Sequence, residues 1–254
     1  MNLRPSWILL QDEPSTLSDD IRVLDLYKGR DIGWVSQMNF LLDEYASEGM
    51  TVLDPFAGLG TTLLASGLRG LTTKGFEIEA TRVELGNRRL QEAGVSQHAE
   101  ILHADSRKMP LMRESIDLIL TSVPYFGAER STDEGWTKAS GQLYFSRVYE
   151  EYLALLEDVV AESARVLRKD HLAVFVAENV MTKEGGFFPV AWDLARLMGK
   201  HLQLKEERVL VYPHNLKNLD REIRHDSHQT DRRHEYVLIG SKRLSDLDGT
   251  ANEA

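Results

Sequence analysis

Three acidic side chains stand at or just after the ends of three successive apolar runs: Asp54 closes TVLD, Glu77 closes TKGFE, and Asp105 follows ILHA. A carboxylate at the end of a strand can accept hydrogen bonds from ribose hydroxyls, or from an amino group such as adenine N6. Each acid alone fits a solvated strand end or a helix cap equally well. Three of them along one edge make a cradle for a nucleoside. After Asp54 comes PFAGLGTT, where Gly58 and Gly60 permit a tight turn or a ligand pressed against the backbone. A dinucleotide fingerprint would place a third glycine where Leu63 stands, and no Gly-Lys-Ser/Thr follows to make a phosphate loop. A fourth apolar run, IDLIL, opens into TSVPYF, which offers a hydroxyl (Ser122), an aliphatic residue (Val123), Pro124 and two aromatic rings (Tyr125, Phe126).

Bringing these strand ends to one edge requires a particular scaffold. From residue 51 the pattern alternates short β-rich runs with longer helical ones. Strands are expected at 51–54, 72–77, 99–104, 116–122, 171–177, 204–212 and 235–240, and helices at 61–69, 82–93, 147–167 and 189–198. Gly70 and Gly94 sit where helix C-caps belong. Such alternation predicts an α/β fold: a mostly parallel, seven-stranded sheet with helices on both faces. Two stretches without periodicity, 127–146 and 213–234, follow strand ends, the edge at which open α/β sheets bind ligands. The polar run 244–254 reads as a flexible tail, and the whole of 1–254 as one domain.

Composition narrows the chemistry. The 254 residues are 42% hydrophobic, enough for a sizeable core, and the longest N-terminal apolar stretch, Trp7 to Leu10, is too short to span a membrane, so a cytoplasmic protein is expected. With no cysteine there is no disulfide, no thiolate metal site and no cysteine nucleophile. Reactions that proceed through a cysteine nucleophile are excluded. The net charge of −10 argues against a protein that simply coats nucleic acid, yet leaves room for a local basic groove.

The series LDPFAGLGTT, GFEIE, HADS and TSVPYF resembles the S-adenosylmethionine-dependent amino-methyltransferases of DNA, which modify N4 of cytosine or N6 of adenine. The resemblance continues through EEYLALLEDVVAESARVLRKDHLAVFV and RRHEYVLIGSK and covers residues 20–243. It implies a Rossmann-like methyltransferase fold and S-adenosylmethionine as cofactor. It also implies that Asp54, Phe56, Gly58 and Gly60 line the methionine and adenosine moieties, with Pro55 and Thr61 in the same turn. Glu77 would hold the ribose, and Asp105, with Ser106 beside it, the adenine. The stretch LYKGRDIGWVSQMNFLLDEY stands where the family places a segment touching the cofactor's methionine end.

An exocyclic amino nitrogen is a poor nucleophile because its lone pair is delocalised into the ring. Two acceptors gripping both N–H groups favour a pyramidal nitrogen whose lone pair points at the methyl group, which is orientation combined with preorganised electrostatics. The Ser122 hydroxyl and the Val123 carbonyl supply two such acceptors, Pro124 stiffens the turn, and Tyr125 offers a face on which an extruded base stacks. The family's tetrapeptide has proline where Val123 stands. An aliphatic residue there also resembles the ribosomal-RNA adenine dimethyltransferases, so an RNA acceptor stays open. By resemblance alone, serine at the first position favours N4 of cytosine over N6 of adenine, although the cofactor turn precedes the tetrapeptide here, the reverse of many serine-type N4 enzymes. A protein-amide methyltransferase and a catalytically silent partner subunit are the other readings.

Recognition of DNA, or RNA, falls to the two long loops. Lys217, Arg221, Arg224, Arg232 and Arg233 are the candidate nucleic-acid contacts, although Asp220, Glu222, Asp226 and Asp231 nearly cancel their charge. The 127–146 loop, with Arg130, Trp136, Lys138 and Tyr144, would close over the target base. So small a recognition segment suggests a short site, a homodimer or a partner recognition subunit. His225 and His228 lack a third metal ligand, and His234-Glu235 lacks the second histidine of a metalloprotease helix, so no metal site is assigned.

Overall fold

A computed structural model of the chain describes residues 5–10, 17–25, 29, 32–126, 143, 146, 148–181, 186–212 and 234–242. In chain order the elements are β1 (Trp7–Leu9), α1 (Asp19–Leu24), α2 (Val35–Tyr45), β2 (Thr51–Asp54), α3 (Thr61–Gly67), β3 (Thr72–Glu77), α4 (Ala80–Glu92) and β4 (Ala99–His103). They continue with β5 (Ile116–Ser122), α5 (Tyr149–Val166), β6 (Leu167–Ala177), β7 (Val180–Met181), β8 (Phe187–Phe188), α6 (Val190–His201), β9 (Gln203–Val211) and β10 (His234–Ser241).

The main sheet runs β1-β9-β10-β6-β5-β2-β3-β4. Every pairing is parallel except those of β10, which is antiparallel to both β6 and β9. Among the described residues the sheet therefore has eight strands rather than the expected seven. The extra one is β1, whose three residues pair with Val209 to Val211 but are too few to show a period of two. Residues Ile116 to Thr121 of β5 are buried without interruption, as a parallel strand covered on both faces must be. One face is covered by α2 through Met38, Leu41 and Leu42; the other is covered by α5 and α6 through Tyr152, Leu156, Val159, Leu194 and Met198. Fully burying each such side chain is worth about 1.5–3 kcal/mol. Among the described residues no helix is long and apolar enough to cross a membrane.

The chain runs β2, β3, β4 outward on one side, then returns to place β5 on the other side of β2. The β2/β5 boundary is thus the topological switch point, and the crevice beyond the C-terminal ends of these strands is where such sheets hold ligands. Close packing there depends on Gly75 in β3. A Cβ at that position would lie 2.6 Å from the Ala57 Cβ and 2.8 Å from Leu63 Cδ1, so only glycine lets the turn before α3 settle onto the sheet.

Candidate active site

The crevice is a cleft of about 370 Å³ that collects the strand ends and the N-terminal segment. That volume lies within the usual range for small-molecule sites. Asp54, at the end of β2, is only 3% exposed. Its Oδ1 accepts the Phe56 N–H at 2.9 Å and the Thr121 hydroxyl at 2.5 Å, so the acid bridges β2 to β5 across the switch point. Burial pushes its carboxyl pKa up, opposed by the hydrogen bonds from Thr121, Thr62 and the Phe56 N–H.

Beyond Asp54 the backbone turns through Gly58 and Gly60, both with positive φ (52° and 80°). Gly60 is the N-cap of α3, and a Cβ on it would meet Ile101 and Leu90 behind the turn. The structure thus gives Gly60 a conformational task and leaves it out of the cleft wall, which Pro55, Phe56, Gly58 and Thr61 form instead. The turn is braced from below by Arg89 of α4, whose Nη1 donates to the Leu59 carbonyl and to Thr61 Oγ1, both at 3.1 Å. Burial pulls the Arg89 pKa down to about 10. Beside Gly58 lies Arg82, whose Nε is 3.3 Å from Asp25 Oδ1 in a buried ion pair. Asp25 Oδ2 also receives the Gly29 N–H at 2.9 Å, which ties the N-terminal segment to the cleft.

Glu77 ends β3 at the cleft, its Oε1 accepting the Glu79 N–H at 2.9 Å. Asp105 also lines the cleft, but its two oxygens are engaged by Arg107, with Nη2 at 2.6 Å and Nε at 3.0 Å. Partial burial raises the Asp105 pKa, yet the Arg107 contacts outweigh this and hold it below the usual carboxylate value. The Ser106 hydroxyl donates to the Pro55 carbonyl at 2.5 Å, so this side chain fastens β4 to the turn. Sequence offers no sign of either pairing, because Arg107 reads as one more charged loop residue.

TSVPYF lies at the end of β5, where its two rings part. Phe126 is buried against Tyr149, Tyr152 and Phe188, with centroids 4.7–5.4 Å away. Tyr125 lines the cleft together with Ser122, Val123 and Pro124. Among the described residues the Ser122 hydroxyl has no hydrogen-bond partner. The Val123 N–H donates to the Val176 carbonyl at 3.0 Å, and the Pro124 carbonyl accepts the Tyr152 hydroxyl at 2.8 Å. Both ends of the turn are therefore fixed, one by the sheet and one by α5.

Two residues at the cleft carry no site signal in the sequence: Tyr212 just after β9 and Glu235 near the start of β10. Glu235 accepts the Tyr125 hydroxyl at 3.1 Å. Desolvation raises its pKa against the donors that face it. From LYKGRDIGWVSQMNFLLDEY the structure brings Ile32, Gly33, Trp34, Gln37 and Met38 to the wall. Lys217, Arg221, Arg224, Arg232 and Arg233 lie outside the described residues, as do Arg130, Trp136, Lys138 and Tyr144. His234, placed at the end of the 213–234 segment by sequence, is instead the first residue of β10.

Residues 116–246 match the protein-family model described as DNA methylase. The chain is 31% identical over 118 residues to tRNA (guanine(10)-N2)-dimethyltransferase of Methanothermobacter thermautotrophicus, a match covering 46% of this chain and 32% of that protein. It thus spans only about a third of that relative's length. TrmN from Thermus thermophilus superposes with a TM-score of 0.58 at 18% identity, over 84% of this chain and 50% of that one. Geranyl diphosphate C-methyltransferase from Streptomyces coelicolor A3(2) superposes with a TM-score of 0.55 at 14% identity, over 82% and 77%. At such identities the likeness to these two structures shows the fold alone.

Proposed function

The chain belongs to the DNA methylase family, and from that premise we propose that this S-adenosylmethionine-dependent methyltransferase modifies an exocyclic amino group of a base in DNA, namely N4 of cytosine. The observation that supports this reading best is the bond from Thr121 to Asp54. It fastens the end of β5, one residue before Ser122, to the glycine turn, so that both open into the same cleft.

The residues present suit the donor. The Gly58 turn presents backbone to the cleft, Phe56 supplies an apolar wall, and Glu77 stands at the next strand end where ribose hydroxyls would meet it. Asp105 would receive an adenine amino group only by sharing its carboxylate with Arg107. When bound, S-adenosylmethionine supplies an electrophilic sulfonium methyl. The chain's own residues then hold the acceptor. Ser122 Oγ and the Val123 carbonyl take the two N–H groups, directing the nitrogen lone pair, and the Tyr125 ring stacks on the base for about 1–3 kcal/mol. Tyr152 keeps the Pro124 carbonyl turned toward α5, and the sheet keeps the Val123 N–H turned toward β6.

A second reading, an amino group in RNA, is favoured by the similarity to a tRNA guanine-N2 methyltransferase and by Val123 in place of proline. Incubation with labelled S-adenosylmethionine and plasmid DNA, total tRNA or protein extract, followed by digestion and mass spectrometry, separates the readings. N4-methylcytosine in DNA is the expected product. A methylated base in tRNA would establish the second reading, and a methylated amide would move the acceptor to protein. Donor binding without any product would make the chain a silent partner, and failure to bind the donor would overturn the whole assignment.

A further inference from the structure

Three elements far apart in sequence converge on the Glu235 carboxylate at the cleft wall. Tyr125 donates its hydroxyl to Oε1 at 3.1 Å, Gln37 of α2 donates Nε2 to Oε2 at 2.5 Å, and the Tyr212 hydroxyl donates to the same Oε2. Gln37 Nε2 also lies 2.6 Å from the Tyr212 hydroxyl, and the Trp34 ring meets Tyr212 edge-on with centroids 4.4 Å apart. Gln37 and Tyr212 are buried, at 3% and 5% exposure, so their side of the network has little water to replace a lost partner. Like them, Tyr125 stands in the wall of the cleft, and it is the one that follows Ser122 and Val123 along the chain. Its ring swings about the Cα–Cβ bond, and a bond at the phenol, the far end of the lever, fixes where the long axis of the ring points.

We propose that Glu235 is a positioning residue for the target base: it sets the placement of the Tyr125 ring through the phenol and, through Gln37 and Tyr212, ties that placement to α2 and the ends of β9 and β10. The inference rests on Tyr125 being the stacking face. A carboxylate suits this role because it presents only acceptors to three donors, whereas an amide would turn an N–H toward at least one of them. A stacked base tilted by a loose ring presents its amino group off line from the methyl group, and a misplacement of about 1 Å costs on the order of 100-fold in rate. Glu235 touches neither reacting atom in this scheme; its effect passes through Tyr125.

The test is a double-mutant cycle with Tyr125→Phe and Glu235→Gln, using plasmid DNA and total tRNA as acceptors and labelled S-adenosylmethionine as donor. Each single substitution is expected to lower kcat by about tenfold while the donor Kd, by calorimetry, stays within about twofold. Adding Glu235→Gln to Tyr125→Phe is expected to lower kcat by less than about twofold more, because the bond through which Glu235 acts is already gone. Fully multiplicative effects, or a Glu235→Gln enzyme as fast as the parent, would overturn the proposal. Should Glu235→Gln not fold, Tyr125→Phe decides alone: it keeps the ring and loses only the phenol, so parental kcat refutes the role. Tyr125→Ala distinguishes the two levels. Full turnover in that variant removes the stacking reading itself, whereas lost turnover alongside an unaffected Glu235→Gln enzyme removes only the positioning role.

Discussion

Replacing Thr121 by valine removes one hydroxyl and changes little else in shape. Thr121 is fully buried, and its Oγ1 lies 2.5 Å from Asp54 Oδ1, so no water can take its place. Hydrogen bonds to charged groups contribute about 1.5–3 kcal/mol. Asp54 keeps the Phe56 N–H and Thr62 in the variant, so a loss near the middle of that range, about 2 kcal/mol, is expected at pH 8. For a chain of this size that lowers Tm by about 4–8 °C. The pH dependence has a definite sign. Burial already raises the Asp54 pKa above its unfolded value, and removing a donor to the charged form raises it further. A carboxyl with a raised folded pKa contributes stability that is present below the unfolded pKa and lost as pH rises through the folded one. The valine variant therefore loses more over that rise, and its deficit is smallest near pH 4 and largest above the folded pKa. Urea unfolding of both proteins from pH 4.5 to 8.5 reads this directly. A deficit below about 0.5 kcal/mol at pH 8, or one that does not grow with pH, would show that the bond is not holding a charged Asp54.

Ser122→Ala is expected to lower kcat by on the order of 100-fold with the donor Kd unchanged, by single-turnover kinetics and calorimetry. Glu77→Ala should weaken donor binding by about 10–100-fold, the loss of one or two hydrogen bonds to a carboxylate, while Tm in the absence of donor moves little. Gly75→Ala drives a methyl group into Ala57 and Leu63, so it should destabilise by about 1–3 kcal/mol in urea unfolding and weaken donor binding, because the displaced segment carries the glycine turn.

Much of the frame could be read without coordinates. The expected strands 51–54, 72–77 and 116–122 match β2, β3 and β5 in full, because each is a short run rich in β-branched or apolar residues that is followed by a turn or helix signal. The short N-terminal elements were not readable. Neither β1 nor α1 is long enough for its period to repeat, and each is fixed by what it packs on: β1 by the edge of β9, α1 by α4. At the site, Asp54, Glu77 and TSVPYF announced themselves by residue type at strand ends. The engagement of Asp105 by Arg107, the bond from Ser106 to Pro55 and the withdrawal of Gly60 from the cleft did not.

Sequence by itself determined the alternation of elements, the order of the acids along one edge, the glycine turn and the placing of Ser122 and Val123, the proposed acceptors, at a strand end. All of these are local properties, set within a few residues by periodicity, backbone freedom and side-chain chemistry. The tertiary structure alone decided that β5 lies beside β2, that Thr121 reaches Asp54 over 67 positions, and that Gln37 and Glu235 meet over 198. Such contacts leave no periodic trace in the chain. They exist because burying the two faces of the sheet brings distant polar groups together, where each must find a partner in place of water.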